Sequence, residues 1–206
     1  LPDRTDIAAV VLAAGSSRRF GSDKLLHPVT RKGATLPLVV HSLLPWLDAF
    51  AHITVVMRPG SEAFRDAIAA SLGASTPAAL RWIVCEDAEQ GMAASLACGV
   101  RANRSAAGWL IGLADMPAVP MSAIAGVRDA LITGAALSAA SRDGRRGHPV
   151  GFASRYYEEL LALRGDAGAR GLLERDRSSL VQIEAGDDGI FADIDVPGDL
   201  SIVDST

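Results

Sequence analysis

A loop that combines glycines with cations is the stretch of this chain best equipped for chemistry. The apolar run Val10-Val11-Leu12-Ala13-Ala14 passes directly into Gly15-Ser16-Ser17-Arg18-Arg19-Phe20-Gly21-Ser22-Asp23-Lys24. Small side chains let backbone N–H groups approach an anion, and Arg18, Arg19 and Lys24 add charge that amides alone would not supply. A triphosphate is the ligand such a loop suits. It is not a Walker-type phosphate loop, because Leu25 and not Ser or Thr follows Lys24. Nor is it a dinucleotide fingerprint: the second and third glycines of Gly-x-Gly-x-x-Gly are missing, and the second strand ends in Arg58 instead of an acid for a ribose.

Two acidic positions complement the loop. Asp115 directly follows the apolar stretch Trp109 to Leu113, and Asp193-Ile194-Asp195-Val196-Pro197-Gly198-Asp199 sits near the carboxyl end. Carboxylates there suit Mg²⁺, a hard cation that usually takes one or two protein oxygens and fills its shell with phosphate and water. If Phe191 to Ile194 is a strand, Asp193 and Asp195 share a face, since residues i and i+2 of a strand point the same way. Read alone, Asp115 is equally a turn or helix cap, and a capped turn before the final helix suits Asp193 and Asp199 better than Asp195. No Ser-His-Asp or Cys-His set stands out, and Cys85 and Cys98 lack the spacing of a zinc site and read as two buried thiols.

Elements that place these residues follow from the hydrophobic rhythm. Short apolar runs alternate with segments of helical period, the mark of βα units around a mostly parallel sheet. Strands are expected at Ala8 to Ala13, Ile53 to Met57, Arg81 to Cys85, Trp109 to Leu113, Leu137 to Ser141, Leu180 to Glu184 and Phe191 to Ile194. Helices are expected from Pro37 through Leu44 with Pro45 kinking or ending the run, from a Ser61 cap to Leu72, and from a Ser122 cap to Ile132. After a polar turn at Arg142 to Gly147, helical stretches run from Ser154 to Leu163 and Gly168 to Arg175, with a last short helix near Pro197. In such a sheet ligands gather beyond the carboxyl ends of the strands, where the loop and Asp115 lie.

Composition limits the classes. The chain has 206 residues, 49% of them hydrophobic, with a net charge of −4. That is enough for one core, and the charge opposes a general nucleic-acid surface, so any anion site has to be local. No apolar stretch reaches the roughly 18 residues of a membrane span, which makes the cytoplasm the expected location. The chain opens on Leu1 instead of Met, and a segment ahead of it, a targeting signal included, stays open at this stage.

Leu12-Ala13-Ala14-Gly15 with Arg19 and Lys24, then Leu113-Ala114-Asp115-Met116-Pro117, then Asp193-Ile194-Asp195-Val196-Pro197-Gly198-Asp199, in that order, resemble the nucleotidyltransferases related to molybdenum cofactor cytidylyltransferase and guanylyltransferase, the MobA-like NTP transferases. Gln90-Gly91-Met92-Ala93-Ala94-Ser95, Gly147-His148-Pro149-Val150 and Gly165-Asp166-Ala167-Gly168-Ala169-Arg170 resemble further pieces of that family. Read without the others, Gly91 is a turn before a helix, His148 a loop histidine and Arg170 a solvated charge. Gly198 stands where the family usually has Glu, and Val196 where Thr is common.

The resemblance implies a three-layer α/β fold, Rossmann-like and of the nucleotide-diphospho-sugar transferase type, with one domain over residues 1–206, a nucleotide half at about 7–118 and an acceptor half at about 119–206. It implies Leu12, Ala13, Ala14, Gly15, Ser16, Ser17, Arg18, Lys24, Gly91, Met92 and Ser95 at the nucleotide, and Arg19, Lys24 and Asp115 in catalysis. Asp115, Asp193 and Asp195 fall at Mg²⁺ or Mn²⁺, and His148, Pro149, Asp166 and Arg170 at the acceptor. Ala14, where guanylyltransferases tend to have Gly, points to CTP over GTP, since a methyl under the base narrows the room for a purine. The implied reaction joins CMP to a molybdopterin-type acceptor, the product going to a molybdenum hydroxylase apoenzyme, without nucleic acid or membrane. Its acceptor phosphate ionises with a second pKa near ~6 and needs no dedicated base. A nicotinamide-dependent oxidoreductase, a related transferase using GTP or another phosphorylated acceptor, and a non-catalytic cofactor carrier are the alternatives.

Overall fold

Ala9 and Val11 face one side of the first strand, Val10 and Leu12 the other, and all four are buried. A strand apolar on both faces belongs inside a sheet that is covered on both sides. The computed structural model has that arrangement and describes residues 6–15, 17, 20, 21, 23–72 and 79–201. After β1 (Ile7–Leu12) come β2 (Pro28–Arg31), β3 (Ala34–Pro37), α1 (Leu38–Ala49), β4 (Ile53–Met57), α2 (Glu62–Leu72), β5 (Leu80–Val84) and α3 (Met92–Ala102). Then follow β6 (Gly108–Leu113), α4 (Met121–Ile132), β7 (Leu137–Arg142), β8 (Arg145–Ala153), α5 (Tyr157–Ala162), α6 (Arg170–Arg175) and β9 (Leu180–Glu184).

Seven strands form one sheet in the order β5-β4-β1-β6-β8-β7-β9, and β2 pairs with β3 in a separate hairpin. Neighbours are parallel except for β8, which is antiparallel to both β6 and β7. Ala9 and Val11 share a core with Leu43 and Trp46 of α1, Ile68 of α2 and Ile124 of α4. On the other face Val10 and Leu12 join Leu96 of α3, Leu160 of α5 and Leu172 of α6. The expected three-layer, mostly parallel α/β class is therefore the one observed.

Helix and sheet approach closely at two glycines. A Cβ on Gly99 of α3 would overlap Val10 and stand 3.0 Å from Val56, and one on Gly112 of β6 would run into the Trp46 indole. These contacts draw the helices onto β1 and β6, the strands that carry the loop and Asp115.

Several expected elements differ from those observed. The stretch from Arg142 to Gly147 is no mere turn. Asp143 and Gly144, with φ of 52° and 73°, put Arg142 opposite Arg145, so the chain reverses at once into β8. Lys32 and Gly33, at 51° and 78°, do the same between β2 and β3. Two successive positive φ values match the strand twist of a tight hairpin. α1 runs through Pro45 instead of ending there, held by buried Leu43 and Trp46. α4 starts at Met121, so Ser122 lies inside its first turn and does not cap it. The expected Ser154 to Leu163 helix divides into a 3-10 turn and α5. Phe191 to Ile194 is not a strand: Asp188–Phe191 is a 3-10 turn, and irregular backbone follows.

His148 lies on β8, half-buried, with its Nδ1 enclosed and lacking a hydrogen-bond partner. Burial pushes its pKa from 6.5 down to about 4, Arg146 pushes the same way, and Asp193 and a backbone hydrogen bond at Ile111 oppose them. Folding thus favours the neutral ring. Between 6.5 and about 4 the unfolded chain binds a proton that the folded chain does not, so stability is full above that window and falls as pH drops through it.

Two measurements follow. Urea unfolding of the wild type should lose on the order of 3 kcal/mol more than His148→Gln between neutral pH and pH ~4; parallel pH profiles would show that His148 is not the cause. Gly99→Ala should lower stability by about 1–3 kcal/mol through overpacking, and an unchanged midpoint would mean that α3 can lift off β1 freely.

Candidate active site

Gly15 opens the loop at the carboxyl end of β1, and the chain then returns to the sheet edge at Lys24. Asp23 caps a 3-10 turn over Lys24–Leu26 by accepting from the Leu25 N–H, while the Lys24 N–H donates to Ser17 Oγ at 3.4 Å. This anchors the Lys24 backbone and aims its side chain inward. The Lys24 ammonium donates to Asp115 Oδ2 at 2.7 Å, to the Ile194 carbonyl at 2.7 Å and to Asp195 Oδ1 at 3.2 Å. Burial disfavours its charge, yet Asp115 and then Asp195 outweigh that, and the Lys24 pKa stays above the ordinary lysine value.

Asp115 stands just past the end of β6 for a topological reason. Ala114 donates to the Leu12 carbonyl at 3.0 Å, continuing the register of β1 with β6 by one bond, and the next side chain then clears the sheet. Ile194 donates to the Asp115 carbonyl at 3.0 Å, which draws the carboxyl-terminal segment to the same spot. Asp199 accepts from the Asp195 and Val196 amides, both at 2.8 Å, and these bonds hold its own pKa low. Asp199 therefore shapes the turn that presents Asp195. The side chains of Lys24, Asp115 and Asp195 are 9%, 22% and 42% exposed, so the cluster opens to solvent through Asp195.

These groups lie on the wall of a cleft of about 1040 Å³ at the carboxyl edge of the sheet. Leu12, Ala13, Ala14, Gly15, Ser17, Gly91, Met92, Ser95 and Asp166 line it together with Lys24, Asp115 and Asp195. Gly91, with φ of 110°, starts α3 in contact with the segment at Gly165 and Asp166: a Cβ there would come within 2.5 Å of Asp166 Oδ1. Asp166 and α3 thus close one wall. Ser16, Arg18 and Arg19 lie outside the described residues.

Other expected site residues are placed elsewhere. Asp193 is exposed, is not among the partners of Lys24, and acts electrostatically on His148. The shared strand face expected for Asp193 and Asp195 is absent because no strand forms there. His148, Pro149 and Arg170 are not on the cleft wall; Arg170, exposed, pairs with Glu174 at 2.8 Å. Residues given no site role from the sequence also line the cleft: Leu25, Arg58, Pro59, Glu86, Ala88, Glu89 and Leu113. Arg58 and Glu86 follow β4 and β5, so the strand-end rule could have found them. Arg58 also pairs with Asp23 across 3.6 Å.

Among the described lining residues, Lys24 and Arg58 face five carboxylates: Glu86, Glu89, Asp115, Asp166 and Asp195. That wall would repel a triphosphate unless a cation intervened. Asp115 Oδ1 is buried and has no partner, and with Asp195 and the Ile194 carbonyl it offers the hard oxygens that a divalent cation takes. Among the described residues no three His, Cys, Asp or Glu side chains converge as a complete shell, so phosphate or water would have to supply the remainder. Covalent catalysis by a thiol fits poorly. Cys85, beside Glu86, is pushed up to about 11 by burial and then by Cys98, and Cys98 is half-buried instead of buried. Among the described residues, no helix is long and apolar enough to cross a membrane.

Comparison with known proteins gives the family and the fold. The MobA-like NTP transferase domain profile matches residues 9–181. The purine catabolism protein PucB of Bacillus subtilis (strain 168) is 34% identical over 204 residues, covering 96% of this chain and 95% of its own. The structure of Rv0371c from Mycobacterium tuberculosis H37Rv matches with a TM-score of 0.79 at 25% identity, over 98% of each chain. A nucleotidyl transferase from Methanothermobacter thermautotroptrophicus shares the fold, with a TM-score of 0.76 at 22% identity over 96% of this chain and 95% of that one. A cleft that joins a glycine loop, a buried lysine and two carboxylates is thus found on the matching fold, and the chain belongs to the MobA-like NTP transferase domain family as a nucleotidyltransferase.

Proposed function

We propose that this nucleotidyltransferase moves CMP from CTP onto the terminal phosphate of a molybdopterin-type acceptor and releases pyrophosphate. The observation that carries the reading is the Lys24 ammonium, held between Asp115 and Asp195 where the glycine loop meets the cleft. In the reaction an acceptor phosphate oxygen bonds to the α-phosphorus as the α–β bridging P–O bond breaks, and the leaving group carries the charge away. Lys24 exchanges a carboxylate for a phosphate oxygen and stabilises that charge, with Arg19 as its partner in the role. Backbone N–H groups from Ala13 to Ser17 and Arg18 hold the rest of the triphosphate.

Asp115 and Asp195 would hold Mg²⁺, or Mn²⁺ in its place, which when bound neutralises phosphate charge and polarises the α-phosphoryl group. The buried, unpartnered Asp115 Oδ1 supports that role. Ala14, 8% exposed on the cleft wall, supports a pyrimidine base by narrowing the space beneath it. Gly91, Met92 and Ser95 line the ribose side. Residues 1–206 act as one unit, a nucleotide half at about 7–118 and an acceptor half at about 119–206, with His148, Pro149, Asp166 and Arg170 toward the acceptor. The enzyme works in the cytoplasm and passes its product to a molybdenum hydroxylase apoenzyme.

Incubation with Mg²⁺, each of the four ribonucleoside triphosphates and molybdopterin, with products identified by mass, decides the substrate. The cytosine dinucleotide is expected; product from GTP alone would overturn the base assignment, and no product from any triphosphate the acceptor assignment. Lys24→Met should cost about 3 kcal/mol of stability, because the largely buried Asp115 then loses its cation. Adding Asp115→Asn should restore part of that, yet pyrophosphate release should stay at least ~10²-fold down in single and double variants. Near-native release from the double variant would remove both residues from catalysis.

A further inference from the structure

The cleft runs across four strand ends, and their order gives it two poles. Leu113, Leu12, Val56 and Ile83 pair in one register row across β6, β1, β4 and β5. Asp115, Ala14 and Arg58 each stand two residues past that row and Glu86 three past it, and all four line the cleft. Hydrogen bonds keep these ends together beyond the strands: Ala114 donates to the Leu12 carbonyl at 3.0 Å, Ala13 to Val56 at 2.8 Å and Cys85 to Met57 at 2.8 Å. With neighbouring strands about 4.8 Å apart, the chain at Glu86 lies roughly 14 Å along the sheet from that at Asp115.

Asp115 is turned to Lys24, and a divalent ion keeps its oxygens within about 2.6 Å, so a cation there leaves Glu86 unused. Glu86 is exposed, and among the described residues its side chain has no hydrogen-bond or ion-pair partner. A bare carboxylate repels a triphosphate. What suits it is a part of the nucleotide that carries no negative charge and donates hydrogen bonds, and the base is that part. With the α-phosphorus at Lys24 and Asp115, a nucleotide extends over Ala14 toward β4 and β5, since no residue of β7, β8 or β9 is among the described lining residues.

We infer that Glu86 selects CTP over UTP by accepting from the exocyclic amino group of cytosine, with Arg58 donating to the ring carbonyl O2. Cytosine has an amino donor at one end of its pairing edge and a carbonyl at the other, whereas uracil has carbonyls at both. A carboxylate only accepts, so uracil sets oxygen against oxygen at Glu86. Arg58, at the neighbouring strand end, only donates. It pairs with Asp23 across 3.6 Å, both side chains more than a third exposed; solvent screens that pair, and a base carbonyl can replace it. The Ala14 methyl limits the size of the base but cannot tell cytosine from uracil, which share one shape, and Glu86 supplies that distinction. This rests on the CTP reading and deepens it.

The test is calorimetric titration of CTP, UTP and GTP into the full chain with Mg²⁺ and no acceptor, so that no transfer occurs. The wild type should bind CTP about tenfold or more tighter than UTP. Glu86→Gln, whose amide donates as well as accepts, should bring that ratio to within about twofold of unity, mainly by tightening UTP. Arg58→Met should weaken both pyrimidine nucleotides alike, by about tenfold, because O2 is common to them; undiminished binding removes Arg58 from the base and leaves Glu86 to stand on the ratio. Glu86 is exposed, so the isosteric change leaves the core untouched, and circular dichroism melting confirms that each variant is folded. The inference is overturned, with the CTP reading intact, if the wild type prefers CTP and Glu86→Gln keeps the ratio or lowers both affinities alike. Equal binding of CTP and UTP by the wild type overturns it too, and CTP still stands as a substrate. Tighter binding of GTP than of either pyrimidine, or binding of none of the three, brings down the CTP reading and the inference together.

Discussion

One ammonium group ties together three distant parts of the chain. Lys24 ends the first loop, Asp115 follows the fourth parallel strand, and Ile194 and Asp195 belong to the carboxyl-terminal segment. Each would be costly alone in this position: a lysine with its side chain 9% exposed, and a carboxylate with one oxygen buried and unpartnered. Together they compensate one another and close the cleft at its base. A group so placed also has something to give a ligand, because its contacts with Asp115 and Asp195 can be exchanged for phosphate oxygens without new burial.

The sheet explains why those parts meet. β1 and β6 are adjacent and parallel, so Leu12 and Leu113 end side by side, and the residues after them share one edge. Arg58 follows β4 and Glu86 follows β5, and both reach that edge for the same reason. Gly99 and Gly112 let helices press against the central strands, which fixes where the strand ends stand relative to the layer above. Precision at the cleft thus originates in contacts well inside the core.

β8 gives the carboxyl-terminal half of the sheet a different logic. Because it reverses direction, its beginning lies at the ligand edge, and Arg146 and His148 arrive there from a segment that a purely parallel sheet would have turned away. His148 is kept neutral by burial, while Arg146 stays charged beside two other arginines.

Much of this was legible in the residues themselves. Apolar runs at Ile53 to Met57 and Leu180 to Glu184 match their strands, and Lys24, Asp115 and Asp195 stand out because cations in a glycine loop, strand ends and hard oxygen donors carry local signals, whereas Gly91 enters only through the family resemblance. The alternation of short apolar runs with helical periods determined the layered class. What it left undecided was non-local. Asp-Gly between Arg142 and Arg145 was a hairpin signal read as a turn, and the direction of β8 followed from it. Spacing put Asp193 and Asp195 on one strand face, but the backbone after Phe191 is irregular, and of the two it is Asp195 that reaches Lys24. Local propensity determined which segments became strands and which residue types stood at their ends. Only tertiary structure decided which ends met, since pairing order and strand direction depend on contacts between residues far apart in the chain, where side-chain period carries no information.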